Sequence, residues 1–225
     1  MPDRWIARWV MSRLLRNFLC HAGLILALYQ AFPASAASLR LLALGDSLTA
    51  GYGLGKDQGL TAKLEAALKS RGRDVRVVNA GVSGDTTAGG LARLDWSLAE
   101  MPDAALVALG ANDMLRGLPP QEAERNLDAI LARLQQRKLP VLLIGMKASA
   151  NLGLDYAGQF DAIYPRLAKK YDVPLYPFIL EGVALKPGLN QEDGLHPNEK
   201  GVDEIVRRLL PDVLRLLDKA KGQKR

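Results

Sequence analysis

Cysteine and histidine are almost missing from this sequence. Cys20 is the only cysteine among 225 residues, and His21 and His196 are the only histidines. One cysteine closes no intrachain disulfide, so the fold rests on its core even in an oxidising compartment. Charge of one sign is also scarce: 30 Lys and Arg against 24 Asp and Glu leave +6 at pH 7. No basic stripe interleaved with aromatics runs along the chain, which excludes a nucleic-acid partner from the expectations. The cluster Lys219, Lys221, Lys224 and Arg225 reads as a solvated tail. Internal repeats, linkers and low-complexity segments are absent too.

The first thirty-six residues fall into three zones. Arg4, Arg8, Arg13 and Arg16 make a basic start, Phe18 to Phe32 is mostly apolar, and Ala34-Ser35-Ala36 offers the small side chains that a signal peptidase accepts. A cleavable signal peptide over residues 1–36 is the expectation, with export to the periplasm or beyond. The other reading is an uncleaved anchor, but His21 and Gln30 interrupt a run that would need roughly 20 apolar residues to span a bilayer. No stable membrane insertion is expected after cleavage. Asn17-Phe18-Leu19 before Cys20 does not resemble a lipoprotein processing site. Without the leader, 26 basic and 23 acidic residues remain, a net charge of +3, with no cysteine and His196 as the only imidazole. Residues 37–225 suit one domain, since single domains commonly hold roughly 100 to 200 residues.

Short apolar runs recur at Leu39 to Leu44, Val75 to Asn79, Ala105 to Leu109, Val141 to Gly145 and Val173 to Tyr176, each ending near Gly, Asn or Pro. They read as strands buried on both faces. Between them Leu60, Leu64, Ala67 and Leu68, then Ala123, Leu127, Ile130, Leu131 and Leu134, recur at helical spacing. Gly72 is placed to end the first helix and Lys138-Leu139-Pro140 the second. A last helix is expected from about Asn198 to Leu217, bent at Pro211. Alternating strands and helices imply an α/β fold: a five-stranded parallel sheet in a flavodoxin-like, three-layer α/β/α sandwich. Ligands bind such sheets beyond the carboxyl ends of the strands.

The unusual polar residues gather at those ends. The first strand runs into Gly45-Asp46-Ser47-Leu48, so Ser47 is a candidate nucleophile, although Gly-Asp-Ser also suits an ordinary turn or helix cap. The glycines at 51, 53 and 55 fit neither nucleotide pattern: Ala50 stands where a P-loop needs its first glycine, and Asp57 where it needs a hydroxyl. The second strand ends in Asn79 to Thr86, a loop with Gly81 and Gly84 that feeds a helix beginning around Thr86, where unpaired N–H groups could hold an anion. The third ends in Gly110-Ala111-Asn112-Asp113, a turn by composition or a carboxamide donor by position.

Gly45-Asp46-Ser47-Leu48, Gly84, Asn112 and the Asp193 to His196 segment, in that order, resemble the four blocks of the GDSL or SGNH hydrolases. Ser83 to Thr86, Gly89 to Leu94 (GGLARL), Ile163 to Ala168 and Leu185-Lys186-Pro187 are similar to its periplasmic thioesterase, protease and lysophospholipase subgroup. The likeness extends from about Leu41 into the final helix. One departure is Ala111, where Gly-Gly-Asn-Asp is usual in that subgroup; alanine is small enough to keep the Asn112 donor.

A serine hydroxyl needs a base within hydrogen-bond reach, and His196 is the only imidazole available. Asp193, three positions earlier, suits one loop in which its carboxylate holds a ring nitrogen and stabilises the imidazolium. Pro197 restricts His196 to extended angles and opens the last helix. The resemblance implies that the oxyanion donors are the N–H groups of Ser47 and Gly84 with the Asn112 side chain. A rival metal site from Asp46, Asp113, Asp193 and His196 lacks paired ligand spacing, so no metal and no cofactor are expected.

Met114, Leu115 and Leu118 in the loop after Asn112, and Leu152 and Leu154 in another, either line an apolar acyl groove or pack their loops down. The expected activity is an exported serine esterase acting on small-molecule acyl esters or thioesters, lysophospholipid included. A carbohydrate acetylesterase, or a non-catalytic lipid- or glycan-binding module, is the alternative.

Overall fold

The computed structural model describes residues 38–223; the leader expected over residues 1–36, and Lys224 and Arg225 of the expected tail, lie outside them. Five strands form one sheet: β1 (Leu39–Gly45), β2 (Val75–Gly81), β3 (Ala104–Ala108), β4 (Val141–Ile144) and β5 (Leu175–Tyr176). Their order is β2-β1-β3-β4-β5, every pairing parallel. The chain moves outward from β1 to β2, then returns to the other side of β1 for β3. That reversal opens a crevice at the carboxyl ends of β1 and β3, where such sheets bind ligands.

Helices fill the connections: α1 (Ser47–Ala50), α2 (Leu60–Ser70), α3 (Thr87–Ala92), α4 (Leu94–Leu98), α5 (Ala111–Leu115), α6 (Pro120–Gln136), α7 (Leu154–Asp161), α8 (Ile163–Tyr171) and α9 (Glu199–Gln223), with a 3₁₀ turn over Ala150–Leu152. α2 and α9 pack together on one face, and α3, α6 and α8 on the other, completing the expected three layers. Leu41, Leu42 and Leu44 of β1 are fully buried, as are Leu64 and Leu68 of α2 and Leu127 and Ile130 of α6. Burying one such leucine stabilises the fold by roughly 1.5–3 kcal/mol, while the polar strand residues Arg40, Arg76 and Asn79 stay exposed. No helix among the described residues is long and apolar enough to cross a membrane.

Gly72 closes α2 with φ +71°, its N–H donating to Lys69 O while Arg73 N–H reaches Leu68 O. After α6, Lys138 takes the left-handed conformation (φ 55°) and Leu139 N–H bonds Leu134 O. The fifth strand is shorter than Val173 to Tyr176. Asp172 is left-handed (φ 50°) and Val173 N–H donates to Ala168 O, so Val173 finishes the cap of α8. Pro174 has no N–H to give and contributes only its carbonyl, to Leu143 N–H. The last helix outruns Leu217: Ala220 is buried, and the helix carries Lys219 and Lys221 on its exposed side, so these two belong to a helix end rather than a tail. It runs through Pro211 and starts behind Asn198, whose Oδ1 accepts from Gly201 N–H.

Candidate active site

Gly45 ends β1 because nothing larger fits: a Cβ there would stand 2.0 Å from Thr49 Oγ1 and 2.9 Å from the Ala108 carbonyl. The chain then turns at once into α1, with Asp46 as its cap accepting from Leu48 N–H at 3.1 Å. Ser47 becomes the first residue of that helical turn and stands half-buried at the sheet edge.

His196 arrives from the far end of the chain. Its Nε2 lies 2.9 Å from Ser47 Oγ, and its Nδ1 lies 2.6 Å from Asp193 Oδ2. Asp193 Oδ1 meanwhile accepts the backbone N–H groups of Leu195 and His196, so one carboxylate fixes both the loop and the ring. Those bonds hold its pKa down at about 2, chiefly the His196 N–H and the imidazole itself. A carboxylate on Nδ1 leaves Nε2 as the acceptor that faces the hydroxyl.

The loop after β2 folds as a turn in which Asp85 N–H donates to Val82 O and Gly84 takes φ +84°. Asn112, in α5, donates its Nδ2 to Asp85 O at 2.9 Å, which draws the carboxamide against that turn. Among the described residues no protein group accepts from the N–H of Ser47 or of Gly84. Ser47, Gly84 and Asn112 follow the carboxyl ends of the three adjacent strands β1, β2 and β3.

Two acidic neighbours are structural. Asp113 accepts from Thr87 Oγ1 at 2.6 Å and Thr87 N–H at 2.8 Å, tying α5 to α3. Asp46 is buried, and burial lifts its pKa to about 6 despite the Leu48 N–H and the His196 ring. Among the described residues no three Asp, Glu or His side chains gather as a metal-holding group.

Of the apolar candidates only Leu118 stands in a loop, between α5 and α6. Met114 and Leu115 sit in α5, which follows Gly110 at φ +120°; Leu152 ends the 3₁₀ turn and Leu154 starts α7 behind Gly153 at φ +85°. Met114 joins the core, Leu152 and Leu118 are half-buried, while Leu115 and Leu154 are exposed at 52% and 90%. The Tyr156 hydroxyl donates to Leu118 O and joins the two segments.

Sequence reasoning did not single out Gln191, Tyr52, Arg93 or Arg116. Gln191 Nε2 donates to Tyr52 O at 2.8 Å and to Pro197 O at 3.0 Å, pinning the histidine loop to the serine loop. The Tyr52 ring lies 4.7 Å from the imidazole, and Arg116 Nη2 donates to Gly84 O. Arg93 stood within the GGLARL segment, and the signal for the other three was proximity in sequence to the four blocks.

The GDSL-like lipase/acylhydrolase family model matches residues 43–203. The arylesterase of Vibrio mimicus is 40% identical over 185 residues, covering 82% of this chain and 92% of the relative. The Escherichia coli thioesterase 1/protease 1/lysophospholipase L1 is 44% identical over 199 residues, covering 86% and 94%. The crystal structure of AlinE4, an SGNH-hydrolase family esterase, superposes with a TM-score of 0.69 at 52% identity, covering 82% of this chain and 99% of that one. With the serine, glycine, asparagine and histidine segments meeting at one sheet edge, the chain belongs to the GDSL-like lipase/acylhydrolase family and is an ester hydrolase.

Proposed function

We propose that Ser47, His196 and Asp193 form the catalytic triad of an exported esterase with broad acyl specificity, acting on aryl esters, thioesters and lysophospholipids. The observation that carries this reading is the unbroken chain Ser47 Oγ to His196 Nε2 at 2.9 Å and Nδ1 to Asp193 Oδ2 at 2.6 Å. As Oγ attacks the acyl carbon its proton passes to Nε2, and Asp193 stabilises the imidazolium. The carbonyl oxygen becomes negative and is received by the N–H groups of Ser47 and Gly84 and by the Asn112 carboxamide. His196 then returns the proton to the leaving alkoxide or thiolate. Water, deprotonated by the same nitrogen, attacks the acyl-serine; the Oγ–acyl bond breaks, His196 returns the proton to Ser47 Oγ, and the acid is released. Export rests on the three-zone leader.

Exposed apolar side chains beside the site residues, Tyr52, Val82, Leu115 and Leu195, favour an apolar acyl or aryl group over a sugar. Octanoyl nitrophenyl ester is expected to be cleaved faster than the acetyl ester; a strong preference for acetyl overturns the apolar reading and favours a carbohydrate acetylesterase. Ser47→Ala is expected to abolish turnover and organophosphonate labelling in a folded protein. Normal hydrolysis by that variant overturns the nucleophile assignment.

A further inference from the structure

The guanidinium of Arg93, at the junction of α3 and α4, spends its donors on the segments that build the site. Nη2 donates to Gly45 O at 2.8 Å, two residues before Ser47. Nη1 donates to Ala80 O at 2.8 Å, near the end of β2. Nε donates to Asp85 Oδ2 at 2.6 Å, the residue after Gly84. Asp85 in turn offers its backbone carbonyl to Asn112 Nδ2 at 2.9 Å. The pair is largely covered, with side-chain exposures of 17% and 19%, so solvent does little to loosen it. Gly89 is glycine for the same reason, since a Cβ there would stand 2.6 Å from Asp85 Oδ1.

We propose that Arg93 is a positioning residue for the oxyanion hole, its planar fork setting the spacing of Ser47, Gly84 and Asn112. The proposal rests on the oxyanion assignment above and goes beyond it. A fork is required because three of its acceptors, Gly45 O, Ala80 O and Asp85 Oδ2, belong to separate segments, with Ser97 Oγ of α4 a fourth at 3.5 Å, and the guanidinium has rigid, coplanar donors where an ammonium is a single point charge. Gly45 O also accepts from Val82 N–H at 3.1 Å, so the β1 end and the Gly84 turn are already neighbours; Arg93 fixes their separation. Arg93 never touches substrate. It acts through the backbone at 45, 80 and 85, and its effect falls on the transition state, where donor placement matters most.

The test is Arg93→Lys in the full chain, with kcat and KM measured separately on a nitrophenyl ester, alone and combined with Asn112→Ala. A misplacement of about 1 Å costs on the order of 10²-fold, so kcat is expected to fall by about 10- to 100-fold with KM within about two-fold. In the Asn112→Ala background the loss is expected to shrink at least about three-fold, because both changes damage one donor set. A merely structural role would cost the same factor in both backgrounds, and that result, or a parental kcat, overturns the proposal. If Arg93→Lys does not fold, Asp85→Asn keeps the carbonyl to Asn112 but removes the ion pair. It is expected to lower kcat by about 3- to 10-fold with the same shrinkage, and an unchanged kcat overturns the proposal. Ser47→Ala separates the two failures: turnover surviving in that variant sinks the nucleophile reading, whereas an inert Ser47→Ala beside a fully active Arg93→Lys sinks only the clamp.

Discussion

Asp46 is held at a cost that pH can reveal. Its side chain is 2% exposed, Oδ1 caps the Leu48 N–H, and Ala108, Leu109, Ile144 and Ile179 are among its surroundings. Burial is the main cause of a pKa raised from the ordinary 3.8 to about 6, the Leu48 N–H and His196 pulling it back and Asp113 adding repulsion. A raised folded-state pKa gives stability that is fully present below 3.8 and lost as pH rises through about 6. At pH 8 that difference amounts to about 3 kcal/mol. Asparagine keeps a side-chain oxygen for the cap and carries no charge. Any cost of its amide hydrogens is the same at every pH, so the slope isolates the carboxylate. Urea unfolding of parent and Asp46→Asn at steps from pH 3 to pH 8 is expected to show the variant gaining about 3 kcal/mol on the parent. In a chain of this size that corresponds to roughly 6–12 °C in melting midpoint. A difference independent of pH refutes the argument that the buried charge is the cost.

Asp193→Asn is expected to lower kcat/KM by about 10²- to 10⁴-fold, since an amide neither fixes the tautomer nor stabilises the imidazolium. Because its pKa is depressed to about 2, the Asp193 carboxylate contributes stability above the ordinary 3.8 that is lost only as pH falls through about 2. It is therefore ionised throughout the working range. Gly45→Ala forces a methyl to within 2.0 Å of Thr49 Oγ1 and 2.9 Å of a backbone carbonyl, which is expected to destabilise by about 3 kcal/mol with loss of activity. An unchanged melting midpoint would show that the β1 end relaxes freely.

Where packing and periodicity coincide, the sequence was legible. Leu41 to Leu44 could only be a strand buried on both faces, and Leu127, Ile130 and Leu134 could only face a sheet. Where a local choice depended on a distant group, it was not. Val173 looked like strand but serves the α8 cap, its N–H donating to the Ala168 carbonyl at 3.0 Å. The leucines after Asn112 suggested one apolar loop; Met114 turns inward to the core while Leu115 turns out, a division fixed by the register of a single helical turn. Arg93 was visible only as part of GGLARL, since a side chain that bonds residues 8, 13 and 48 positions away leaves no local pattern.

Composition and order alone determined that one imidazole, His196, serves the chain from residue 37 onward, that no disulfide supports it, and that five apolar segments alternate with helices. Those are properties of residue identity and spacing, which burial and periodicity translate directly. The 2.9 Å between Ser47 and His196, 149 positions apart, was decided by tertiary structure: by the strand order that reverses at β1 and by Gln191 joining the two loops. Hydrogen-bond geometry at that range depends on how whole strands and loops are held, and no single segment of sequence contains it.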